Sequence, residues 1–154
     1  MTSFKTLTMT AVLCAVAAAA VAQTPAEQAV NARKSLMHVM AFNLGQLGAM
    51  AKGQMPYDAK AAQAAAGNIA KLATLDQAAL WMKGTDHDAD PKSHALPAIW
   101  QNEADFLGGF AKLASAAGTA EKSVGGGAET LKAALGQIGG ACGGCHKSYR
   151  AALN

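Results

Sequence analysis

The sequence predicts an all-α chain folded as an antiparallel four-helix bundle. Three observations carry that class. Ala, Leu, Met, Gln and Lys, all good helix formers, dominate, whereas β-branched residues are scarce and aromatics make up only 5% of the chain. Apolar residues recur at three- and four-residue intervals in four stretches. Short breaker-rich segments separate these stretches, which favours antiparallel neighbours. No period-two pattern is long enough to compete.

The first helix is expected from about Pro25 to Ala51, with Leu36, Met37, Met40, Leu44, Leu47 and Met50 as its apolar positions. Lys52-Gly53-Gln54-Met55-Pro56 should end it, with Gly just past the end and Pro soon after. The second helix should start after Asp58 as N-cap and carry Ala62, Ala65, Ile69, Leu72 and Leu75 on one face. Residues 83–96 read as a loop by composition. Pro97 suits the first position of a third helix, whose buried stripe is Ile99, Trp100, Phe106, Phe110 and Leu113. Gly125-Gly126-Gly127 is the next break, and a fourth helix should run from about Ala128 to Ala152.

The N-terminus reads as a segment to be removed. Lys5 supplies a positive n-region, Leu7 to Ala20 an apolar run, and Ala20-Val21-Ala22 a small-x-small cleavage pattern. Residues 1–22 are therefore expected to be a cleaved signal peptide, and 23–154 the mature bundle. The apolar run falls short of the roughly 20 residues that span a bilayer, so stable membrane insertion is not expected. Leu13 before Cys14 argues against lipidation, since a small residue is wanted there. The full chain carries a formal charge of +3; losing Lys5 leaves 12 basic against 10 acidic residues. With no Lys/Arg run, nothing suggests a nucleic-acid surface.

After cleavage only two cysteines remain, in Cys142-Gly143-Gly144-Cys145-His146. Cys-x-x-Cys-His is the attachment signature of c-type haem: two thiols add to the vinyl groups, and the histidine becomes an axial iron ligand. On a helix the three residues stand at i, i+3 and i+4, so all project from one face. One covalent haem c is expected, with Cys142 and Cys145 as thioethers and His146 on the iron. Haem c is assembled outside the bacterial cytoplasmic membrane, which fits export to the periplasm. A thioredoxin-like motif would sit in a βαβ context, and a structural zinc site would need more ligands than this chain offers. Gly143 and Gly144 are read as letting the backbone approach the porphyrin and neighbouring helices.

Read together, these residues resemble the cytochrome c' family, the class II c-type cytochromes. The resemblance rests on Arg33 to Met37, Lys52-Gly53-Gln54-Met55-Pro56-Tyr57-Asp58, Leu96-Pro97-Ala98-Ile99-Trp100, and Cys142 to Arg150. It covers essentially the whole mature domain and implies a periplasmic four-helix bundle with haem near the C-terminus. It also implies that Met37 faces the haem opposite His146, where two subclasses diverge. In high-spin members an apolar residue there covers a vacant iron site that binds NO or CO. In low-spin members a methionine coordinates the iron and the protein carries electrons.

Thioether sulfur favours ferrous iron, which suits a carrier. Methionine stripes in helices are more often plain core. The run from Met37 to Lys52 looks more like the methionine-ligated members, so the reading leans to an electron carrier with His146 and Met37 on the iron. The alternative is a five-coordinate gas binder in which Met37 only occludes the distal face. The resemblance further implies that Arg33 lies near a haem propionate. Arg150 is read as a propionate or proximal-side residue, or as a dipole partner of the last helix. Redox proteins are the expected partners, and a homodimer built on the first two helices is permitted. No acid–base group stands at helical spacing from Met37, so catalysis is not expected. His38 lies about 100° around the helix from Met37 and is read as a surface residue. His87, His94 and the alternating Asp86, Asp88 and Asp90 are read as solvated loop residues, without the Gly and Glu of a calcium loop.

Overall fold

The computed structural model describes residues 23–152; the expected signal peptide lies outside the described residues. Its helices are α1 (Pro25–Ala51), α2 (Ala59–Ala73), α3 (Ala98–Gln101), α4 (Glu103–Ser123) and α5 (Ala128–Tyr149). The four long helices form a ring in which α1 packs on α2 and α5, and α4 packs on the same two. Directions are antiparallel. Gln63, early in α2, meets Gly125 just after α4, and Gly109, early in α4, meets Cys145 late in α5.

Local chemistry sets the ends. Thr24 caps α1 in a reciprocal box: Glu27 N donates to Thr24 Oγ1 (3.2 Å), and Thr24 N donates to the Glu27 carboxylate (2.8 Å). Pro25 occupies the first turn, where its missing N–H costs nothing. Gly53 follows the C-cap with φ of 69°, a left-handed conformation that Gly adopts without a Cβ penalty. Asp58 caps α2 by accepting from Ala61 N at 2.9 Å. Gly127, at φ 111°, turns the chain between α4 and α5.

Three expected boundaries shift. Leu75 lies beyond the Thr74 C-cap of α2 and is 52% exposed, so it is not part of the buried face. The expected third helix is split at Asn102, whose φ −132° and ψ 48° leave the helical region. The Asn102 side chain donates to Ala98 O at 3.3 Å, in the way Asn competes with helical backbone bonds. Pro97 accordingly caps a one-turn helix rather than opening a long one. The last helix stops at Tyr149 instead of Ala152, because Arg150 is extended and bridges to Ala95. Leu96 N donates to Tyr149 O (3.0 Å) and Ala151 N to His94 O (2.9 Å), which staples the chain end to the 83–96 loop.

The core runs the length of the bundle but changes character along it. Around Leu131 the small side chains of Ala62, Ala66, Ala117 and Ala120 let the helices close on one another, and all five residues are buried. Tyr57 ties this end shut: its hydroxyl donates to Val124 O (2.5 Å) and accepts from Gly127 N (3.1 Å). At the other end Phe106 stands edge to face with Trp81, Phe110 and Tyr149, with centroids 4.6 to 5.5 Å apart, and Trp81 lies tilted against Phe110 at 6.3 Å. Rings of this size hold the helices apart. A cavity opens there.

Candidate haem site

The cavity measures about 590 Å³ and lies between the middle of α1, the first half of α4 and the end of α5. Its floor is apolar, built from Leu44, Ile69, Phe106, Phe110, Leu113 and Ile138. Cys142, Cys145 and His146 form one wall. All three are half-buried while Gly143 and Gly144 between them are exposed, as i, i+3, i+4 spacing requires. The two cysteines form no disulfide. Burial pushes both thiols up, and Cys142 with Asp105 adds to the effect on Cys145. His146 is pushed down by burial first and by the Arg150 charge second. Both effects favour neutral imidazole, the form that donates to a metal.

Gly109 is the residue that makes room. A Cβ at Gly109 would sit 3.2 Å from Cys145 Sγ. Beyond the backbone of their own helix, no atom of the described residues comes within 4 Å of a Cβ placed on Gly143 or Gly144, so the expected close approach of those two glycines to neighbouring helices is not found. The glycine that packs against the motif comes from another helix. Its signal in the sequence was a small residue inside the otherwise bulky stripe Phe106, Gly109, Phe110, Leu113.

The opposite wall comes from α1. Met37 lines the cavity and is half-buried, as does Met40, which is buried, whereas Met50 lies wholly in the core. His38 is exposed at the cavity mouth with Lys34 and His94. Among the described residues no carboxylate lines the cavity, and every charged residue on it is basic.

Arg33 and Arg150 both reach the cavity, in different ways. Arg150 is exposed, and its backbone forms the bridge to Ala95. Arg33 is only 4% exposed, so it is not a solvated surface residue. Its Nη1 donates to Leu80 O (3.2 Å) and Thr85 Oγ1 (2.7 Å), and its Nη2 to Ser93 Oγ (2.6 Å) and to Thr85 O. The guanidinium carbon lies 5.0 Å from the Trp81 ring centre. Thr85 and Ser93 were invisible in sequence, because a polar loop gives no hint of which hydroxyl turns inward.

Tyr149 is buried under the motif and donates to Asp105 Oδ2 at 2.7 Å. That bond, with burial behind it, pushes the phenol up to about 12. His87, expected to be solvated, is half-buried with Nδ1 2.7 Å from Ser93 O. Asp86 and Asp90 accept from backbone N–H groups of their own loop, and no cluster of metal-binding side chains occurs among the described residues.

Paired thiols, a neutral imidazole and an apolar slot with a basic mouth fit a flat macrocycle that bears two carboxylates. Fold and site together define a haem c-bearing four-helix bundle. Comparison with known proteins agrees. The family model for cytochrome C' matches residues 28–150. A cytochrome c-554 from Cereibacter sphaeroides is 39% identical over 124 residues, covering 80% of this chain and 81% of its own. A cytochrome c' from the same species is 39% identical over 140 residues, covering 91% and 94%. A solved cytochrome c' from Rhodobacter superposes with a TM-score of 0.79 at 38% identity, over 83% of this chain and 98% of that one. The chain belongs to the cytochrome c' family, whose members carry one covalent haem c.

Proposed function

We propose that this chain is a periplasmic, five-coordinate haem c protein that binds NO or CO at the open side of its iron. Cys142 and Cys145 hold the haem by thioether bonds, His146 is the proximal ligand, and Met37 covers the distal face without ligating. The observation that carries this reading is the distal wall itself. Met37, Met40 and Leu44 present only apolar atoms and thioethers, and among the described residues no carboxylate lines the cavity. Bound haem would supply a redox-active iron with room for a small neutral gas. The chain's own residues exclude water, present neutral imidazole, and surround the carboxylate edge with Arg33, Lys34 and Arg150. Among the described residues no helix is long and apolar enough to cross a membrane.

The second reading is the electron carrier to which the sequence leaned, with Met37 as sixth ligand. It is favoured by one feature: Met37 is a half-buried thioether on the wall facing the motif. The match to cytochrome C' and the fit to a solved cytochrome c' support the five-coordinate reading more. Titration of the dithionite-reduced holoprotein with CO separates them. Ready, stoichiometric CO binding is expected. A six-coordinate ferrous spectrum that CO changes only slowly would overturn the proposal.

Self-association through the outer face of α1 belongs to the same reading. Val39 and Phe42, one helical turn apart, are 47% and 68% exposed, and two large apolar side chains at that spacing suit a partner helix.

A further inference from the structure

We propose that Arg33 is a positioning residue for the haem cavity, a buried guanidinium on α1 that holds the 80–95 segment in place as the cavity's wall. This rests on the cavity being the haem cavity and not on the choice of distal ligand.

The donors account for themselves. A guanidinium has five N–H groups. Four point from Nη1 and Nη2 to Leu80 O, Thr85 Oγ1, Thr85 O and Ser93 Oγ, leaving only Nε–H for anything else. The role implied by family resemblance, a direct propionate contact, is thereby confined to one donor and to charge. Among the described residues the single ion pair is Lys132–Glu129, so Arg33 is held by neutral acceptors alone. A buried charge that lost those acceptors would face a desolvation penalty, so segment and arginine stabilise each other.

The acceptors are themselves linked. Thr85 Oγ1 donates to Met82 O (2.6 Å), and Ser93 Oγ donates to Thr85 O (2.7 Å) while accepting from Ala95 N (3.3 Å). Ala95 then bridges to Arg150, four residues past His146. A continuous path of bonds thus runs from α1, one turn before Met37, to the end of the haem helix. Trp81, His94 and Ala95, which line the cavity, are carried by this network.

Limited trypsin digestion of the holoprotein tests the proposal, because exposed Lys83 and Lys92 flank the network. Wild type should be cut slowly at both sites. Arg33→Gln should raise cleavage there about tenfold or more, while cleavage at Lys132 stays unchanged. Arg33→Lys keeps the charge but not the fork, so it should behave like Arg33→Gln. Should Arg33→Gln fail to fold, Thr85→Val with Ser93→Ala removes the two hydroxyl acceptors, leaving Leu80 O and Thr85 O, and should raise cleavage at the same sites by a smaller factor. A midpoint potential adds a second readout. Arg33→Lys should lower it, since water admitted at the opened wall favours ferric haem. Unchanged cleavage in Arg33→Gln, or wild-type protection in Arg33→Lys, would overturn the proposal; the latter would make Arg33 a charge on the haem and nothing more.

Discussion

The two ends of this bundle are built from the same four helices and behave as opposites. At the Tyr57 end alanines face alanines, Leu131 and Val124 are fully buried, and one tyrosine hydroxyl serves two backbone groups. At the Tyr149 end four aromatic rings and Met40 brace the helices around a cavity, and a loop held by Arg33 closes the side. Side-chain size is the first difference between them. Small residues turn a bundle into a core; large ones at the same helical register turn it into a socket. Haem bound in the socket would add apolar contacts there that the closed end makes from its own side chains.

The largest effect should come from removing the attachment. Cys142→Ser with Cys145→Ser should abolish covalent haem, read as loss of the haem mass in the intact protein. Amide exchange should then rise at residues 103–113 of α4 and change little at 114–123. Uniform loosening would break the contrast between the ends. Next, Leu131→Ala at the closed end should cost about 2–5 kcal/mol in denaturant melts of the holoprotein, since it leaves a void in a packed core. Leu44→Ala should cost less, because Leu44 is half-buried on a cavity wall.

The two tyrosines sharpen the comparison. Tyr57→Phe strips partners from Val124 O and Gly127 N and should cost about 1–3 kcal/mol. Tyr149→Phe should cost less, since its partner Asp105 is exposed and water replaces the bond. The smallest effect is in alkali. Tyr149 is raised in the folded state from 10.0 to about 12, so its neutral, hydrogen-bonded form contributes stability fully below pH 10, lost as pH rises through about 12. Asp105→Asn should return the phenol toward 10 in an absorbance titration. No change would show that the hydrogen bond is not the cause.

The sequence carried the chemistry further than the architecture of the socket. Cys142, Cys145 and His146 were legible because covalent attachment demands fixed residue types at fixed spacing, and spacing survives in a string. The four long helices were legible for the same reason, through period. Leu75, Asn102 and the Ala95–Arg150 bridge were not, since each depends on competition between local backbone bonds and contacts far along the chain. Gly109 could have been found as the small member of a bulky stripe. Arg33 was visible as a residue but not as a clamp, because its acceptors lie 47 to 60 residues away.

What the iron meets on its distal side decides the function, and Met37 is the test. The most direct measurement is the absorption spectrum of the oxidised holoprotein beside that of Met37→Ala, extended into the near infrared. We expect high-spin spectra for both proteins and no methionine-to-iron charge-transfer band. A low-spin wild type with that band, turning high-spin on loss of Met37, would contradict the five-coordinate account and establish the methionine as ligand.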